Sequence, residues 1–194
     1  MKGNNKSFAS RPIWWTRQYL ESFVLSEAEA WKIINGPPWR CVFAWVTQDC
    51  KPVACAMAYV VLDGMIMLSS TRNRDKIKAL RRNPGVSACF QAKGFKQVTV
   101  RGRAELSPDP GLGQRWAAAH VDGWGRTLSL EQRELEINRY KSPDRLTIIV
   151  HVERIRTFDG ERMLKAEGVV LPETEPGAGG SNPPSPPAFP KSFD

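Results

Sequence analysis

Seven side chains between residues 69 and 78 are spaced for anion chemistry. Ser69, Ser70 and Thr71 offer hydroxyls, and Arg72, Arg74, Lys76 and Lys78 offer positive charge. Hydroxyls and cations beside the free N–H groups of a helix N-terminus make a phosphate site. Taken alone, such a run is most often a solvated face. Here, however, six cations (Arg72, Arg74, Lys76, Lys78, Arg81, Arg82) meet a single acid, Asp75. Like charge crowded onto one short segment is unfavourable unless something anionic visits it.

The flanking residues show what must position this cluster. Residues 65–69 form a compact apolar run after Gly64, which predicts a strand. Ile77 and Leu80, three apart, give residues 76–82 one apolar helical face. Asn83-Pro84-Gly85 ends that helix, because proline disfavours helical geometry in the residue before it. Strands are expected at 86–90 and 97–106, joined at Lys93-Gly94. Upstream, residues 41–47 and 52–62 read as strands, with Asp63-Gly64 as a hairpin turn. Downstream, residues 146–158 hold Thr147, Ile148, Ile149, Val150 and Val152 and read as a long strand turning at Asp159-Gly160. Strands this short and this closely spaced predict an antiparallel barrel or sandwich.

Helices accompany the strands. Ser26 with Glu29, and Ser129 with Gln132, have the spacing of capping boxes. The first opens a helix carrying Trp31 and Ile34 and stopped at Gly36; the second opens 130–140. A further helix is expected around 114–120, so residues about 110–141 form a helical insertion. Trp116, Trp124 and Tyr140 within it could wall a pocket, although core packing is the commoner use of such residues. Residues 1–8 read as a frayed arm, 9–170 as one domain, and the Pro/Gly-rich 171–194 as a disordered tail. Trp14, Trp15, Tyr19, Leu20 and Phe23 form an aromatic-rich segment expected to pack on the body or on a second subunit.

At 194 residues and 41% hydrophobic, the chain can bury one sizeable core. A net charge of +8 admits anionic partners without choosing among them. Nucleic acid is not expected, because no aromatic side chains interleave with the cations as stacking platforms. No apolar run approaches membrane-spanning length and no secretory leader is evident, so no membrane partner and a cytoplasmic location are expected. Cys41, Cys50, Cys55 and Cys89 include no CxxC pair and read as reduced, mostly buried thiols. His120 and His151 have no spacing that suggests metal ligands.

In order and spacing, the second strand, the Asp-Gly hairpin, the Ser-Thr-basic loop, K-x-K-x-L-x-x-N-P and Gln97-Val-Thr-Val-Arg-Gly resemble one family. It is that of the pyridoxamine 5'-phosphate oxidase-like, FMN-binding split barrels, in its broader branch. The resemblance implies a mainly β fold, a six-stranded antiparallel split β-barrel with flanking helices. It implies a homodimer whose cofactor and small-molecule substrate meet at the subunit interface. The second-strand residues Cys55, Ala56, Met57, Ala58, Tyr59 and Val60 would line the flavin ring. Ser69, Ser70 and Thr71 would approach its phosphate arm, Lys76 would hold the phosphate, and Gln97 would lie against the ring. The oxidase itself has arginines where this chain has Cys55 and Asp75; Arg72 or Arg74 could supply that charge. The implied activity is FMN-dependent oxidoreduction by hydride transfer at flavin N5. A deazaflavin-dependent reductase and a non-catalytic flavin- or haem-binding protein are the alternatives.

Overall fold

The computed structural model describes residues 21–37 and 39–168. The expected arm, the aromatic residues 14–20 and the tail lie outside them. Strands β1 (Arg40–Val46), β2 (Pro52–Leu62), β3 (Met65–Thr71), β4 (Gly85–Ala92), β5 (Lys96–Ser107) and β6 (Arg145–Asp159) close into one antiparallel barrel. Around it the order is β1-β2-β3-β6-β5-β4. The helices are α1 (Glu27–Ile34), α2 (Asp75–Arg82), α3 (Pro110–Asp122), α4 (Leu130–Asn138) and α5 (Gly160–Ala166).

Alternation along each strand builds two apolar clusters. Side chains facing the lumen (Phe43, Tyr59, Ile66, Leu68, Phe90, Val98, Val100, Ile148) fill it, and Ile34 of α1 and Ile77 and Leu80 of α2 join the same core. Each such side chain contributes about 1.5–3 kcal/mol through burial. The Tyr59 hydroxyl donates to the Ile34 carbonyl at 2.8 Å, tying α1 to β2. Outside the wall, Val60, Met67 and Ile149 meet Trp116, Ala117 and Val121 of α3 and Ile137 of α4. Trp116 Nε1–H donates to the Met67 carbonyl at 3.0 Å. The helical insertion is thereby fastened to the outer face of β2, β3 and β6.

Both capping boxes form as spaced. The first helix of the insertion, α3, begins earlier than the expected 114–120, since Asp109 caps it and Pro110 opens it. Asp159-Gly160 proves to be the start of a helix: buried Asp159 accepts from the Arg162 N–H and pairs with its guanidinium. All four cysteines are free, but only Cys41 is buried, correcting the expectation for the others. Cys55 and Cys89 are half-buried, and Cys50 sits exposed in the β1–β2 turn. Burial pushes the Cys41 thiol up to about 12, with Cys55 and Cys89 adding to the shift, so it stays protonated at neutral pH.

Candidate functional site: the split in the barrel wall

Strands β2 and β3 pair only from Tyr59↔Leu68 to Leu62↔Met65. Beyond that they part. Residues 52–58 keep β1 as their one neighbour, and Ser69, Ser70 and Thr71 keep β6. The wall is therefore split, and the divergent edges carry backbone donors and acceptors that none of the described strands satisfies, which a planar polar ligand can use. Ala54, Ala56 and Ala58 alternate outward along this edge, and their small side chains let a flat group lie close to the backbone.

Lys76 reaches into the base of the split from the first turn of α2. Its Nζ lies 3.5 Å from Cys55 Sγ, 3.4 Å from Met57 Sδ and 5.5 Å from the centre of the Trp45 ring. Thiol and thioether sulfurs are weak acceptors for an ammonium group. Among the described residues no carboxylate pairs with Lys76, whereas neighbouring Lys78 lies 3.6 Å from Asp75. Arg74 occupies the N-cap of α2 without a side-chain cap bond, so the helix's first amides gain no capping partner from it. Arg72, Arg74 and Lys78 are exposed.

On the outer side, a cleft of about 1070 Å³ runs along Ala56, Met57 and Ala58. Trp39, Trp124 and Tyr140 give it aromatic walls, and Arg40, Arg126 and His120 give it polar ones; among the described residues no acid lines it. His120 stacks on Trp116 at 4.8 Å and meets Trp124 and Tyr140 edge-on. Trp124 Nε1–H points at His120 Nε2 at 3.4 Å, which leaves the proton of the neutral ring on Nδ1. Burial lowers the His120 pKa below 6.5, and the nearby Arg40 charge lowers it further.

The expected site residues divide by position. Cys55, Met57 and Tyr59 point into the lumen and Ala56, Ala58 and Val60 outward, all on the edge strand of the split. Val60 is covered by α3, and Tyr59 is sealed in the core. Ser70 is buried; Thr71 donates to Asn73 Oδ1 at 2.7 Å; Ser69 lies against the Leu146 carbonyl and accepts from Arg145 at 3.2 Å. The hydroxyls of Ser69 and Thr71 thus have protein partners already. Gln97 stands apart: it is exposed on β5, which lies across the barrel from β2 in the strand order. Trp39, Arg40, Arg126 and Arg145 went unnoticed in the sequence, since they come from separate loops and strand ends with no common spacing. His151, by contrast, is an exposed strand residue 2.7 Å from Glu105.

Six strands in one closed order, parted between the second and third, define an antiparallel split barrel with a cleft at the parting. The family model described as pyridoxamine 5'-phosphate oxidase matches residues 28–159, and the chain belongs to that family. No curated protein matches the sequence. Among solved structures, the conserved hypothetical protein Rv2991 from Mycobacterium tuberculosis is similar, with TM-score 0.66 and 25% identity over 81% of this chain and 95% of that one. A heme binding protein from Mycobacterium smegmatis gives TM-score 0.55 and 22% identity, over 70% of this chain and 55% of that one. An F420 reductase gives TM-score 0.50 and 21% identity, over 64% and 93% respectively.

Proposed function

We propose that this chain is an FMN-dependent oxidoreductase acting on a small organic molecule, with the coenzyme seated in the split. The observation that carries this reading is Lys76. Its ammonium is drawn into the parting of the wall, against two sulfurs, and among the described residues no carboxylate neutralises it. A phosphate there would gain a charge-assisted bond from Lys76 and the first amides of α2. The open edge at Ala56 and Ala58 would hold the polar rim of a ring system. The donor set therefore fits the coenzyme.

A bound flavin supplies the electron-transfer chemistry. The remaining work falls to the side chains. Arg40 and Arg126 place positive charge where a reduced ring or an anionic substrate gathers negative charge. Trp39, Trp124 and Tyr140 exclude water from the outer cleft and hold a planar substrate in register. His120, oriented by the Trp124 N–H, keeps its proton at Nδ1 and stays neutral at physiological pH.

The same reading calls for a second copy of the chain. Gln97 cannot reach the split of its own barrel, but a partner barrel could bring it there. A surface for that contact exists. Ala56, Val42, Cys89 and Thr99 are register partners across β2, β1, β4 and β5, all facing outward and uncharged, and Val42 is 46% exposed.

A deazaflavin coenzyme is the second reading. It is favoured by Cys55 and Asp75 standing where the oxidase carries arginines, and the F420 reductase shares the fold. The haem alternative finds less support, because His120 Nε2 faces Trp124 and His151 is tied to Glu105. Absorption of the purified protein, followed by mass analysis of the released chromophore, separates these readings. A yellow protein releasing FMN is expected; a colourless protein indifferent to added FMN would overturn the assignment.

A further inference from the structure

The outer face of β5 and β6 crowds four arginines together. Arg101 of β5 and Arg154 of β6 are direct register partners, and Arg156, two residues on, stands opposite Thr99. Arg103 follows Arg101 on the same side of β5. All four are exposed, and among the described residues none is paired with a carboxylate. Like charges set directly across two strands are destabilising. The repulsion is relieved when an anion meets them. A shallow groove of about 350 Å³ crosses this face from Val46 and Pro52, past Ala44 and Ser87, to Arg101 and Arg103. Glu153 is the one acid among the described residues that line it.

Register ties these arginines to the split. Ala54, Ala44, Ser87, Arg101 and Arg154 form one continuous row across β2, β1, β4, β5 and β6. Ala54 adjoins Cys55, whose sulfur lies 3.5 Å from the Lys76 ammonium. The row therefore starts at the level where Lys76 enters the split and ends in two guanidinium groups on the far side of the same face. The next row, through Ala56, Val42, Cys89 and Thr99, is the uncharged surface on which a second copy would sit, and it ends in Arg156. A two-fold axis running along β1 and β4 would turn this face onto itself. It would lay β5 and β6 of one barrel over β2 of the other and keep each row opposite its own copy. Arg101 of the second copy then comes over Ala54, beside Cys55 and Lys76, while its Gln97, four residues earlier, falls toward Ala58.

We infer that Arg101, backed by Arg154, completes the coenzyme-phosphate site of the opposite subunit. This rests on the reading of Lys76 as the group that seats the phosphate. A phosphate monoester carries a charge of about −1.5 to −2 at neutral pH, and Lys76 supplies a single positive one. A guanidinium adds a planar, two-pronged donor that a lysine lacks. With Lys76 seating the phosphate and Arg101 closing over it, each site is built from both chains. Coenzyme binding and dimer formation then stabilise each other.

The test titrates the wild-type protein and Arg101→Met with FMN and with riboflavin. Arg101→Met is expected to weaken FMN binding at least about tenfold and to leave riboflavin unchanged. Arg101→Lys, which keeps the charge, should retain most of the FMN affinity. Circular dichroism and sedimentation check that each variant remains a folded dimer. The sample that separates the chains is a mixed dimer, one chain Lys76→Met and the other Arg101→Met, co-expressed with different tags and purified through both. If lysine and arginine come from different chains, one of its two sites keeps both groups. The mixed dimer should then bind one FMN with wild-type affinity, which neither variant achieves alone. FMN held by Arg101→Met as tightly as by the wild type, or a mixed dimer with no tight site, would overturn the inference and leave Lys76 in its role. Wild-type protein that binds FMN no better than riboflavin would remove the reading of Lys76 and this inference with it.

Discussion

Lys76 decides the account at the scale of single residues, and its surroundings make it easy to test. Replacing it with methionine removes a cation from beside Cys55, Met57 and Trp45 and leaves an apolar chain of similar length, so the fold should hold. FMN affinity should fall at least about tenfold in a fluorescence titration, or about 1.4 kcal/mol, and Lys76→Arg should retain most of it. His120 gives a prediction in pH. Its folded pKa is depressed, so its neutral form is favoured in the native state and protonation opposes folding. Stability from this group is complete above 6.5 and is lost as pH falls through the depressed folded value. Urea unfolding followed from pH 8 to pH 5 should show that slope, and His120→Phe should flatten it. The position of Lys76 in the first turn of α2 was legible in the sequence because Asn83-Pro84 ends one short helix. The commitment of Thr71 to Asn73 and of Ser69 to Arg145 was not, because it depends on rotamers and on a strand more than seventy residues away.

Elements were legible where their signals are local. The capping boxes join residues three apart, and the strands carry compact local patterns, so both were found with edges that shift by only a residue or two. Asp159-Gly160 misled because an Asp-Gly pair serves a turn and a helix start alike; burial of Asp159 against Arg162 settles it in favour of the helix. The bulge between Arg101 and Gly102 left no sequence signal beyond the glycine itself. A Cβ at Gly102 would come within 2.1 Å of the His151 carbonyl oxygen. Gly102→Ala should therefore cost about 3 kcal/mol or more in denaturant unfolding, a large value for one methyl group. Helix α2 links stability to the site. Ile77 is fully buried in the barrel core and anchors the turn from which Lys76 projects. Ile77→Ala should cost about 2–5 kcal/mol by chemical denaturation and weaken FMN binding as well, since the anchor and the cation share one turn.

For the whole molecule, the split was legible only through the family resemblance, not from the strand pattern itself. Strands β2 and β3 look like an ordinary hairpin, and only the register shows that they part after Tyr59 and Leu68. The separation of Gln97 from Lys76 was hidden for the same reason, since closure puts β2 and β5 on opposite walls. If a partner barrel restores that contact, the uncharged row through Val42 is the place for it. Val42→Arg should shift the sedimenting species from dimer to monomer and lower FMN affinity with it. An unchanged species would place any partner contact elsewhere. The central claim, that the parted wall grips the phosphate end of a planar coenzyme through Lys76, is met most directly by titrating the protein with FMN and with riboflavin. The account predicts FMN bound at least about tenfold more tightly than riboflavin, with the preference erased in Lys76→Met. Equal affinity for the two in the unaltered protein, or a preference that survives loss of Lys76, would contradict it.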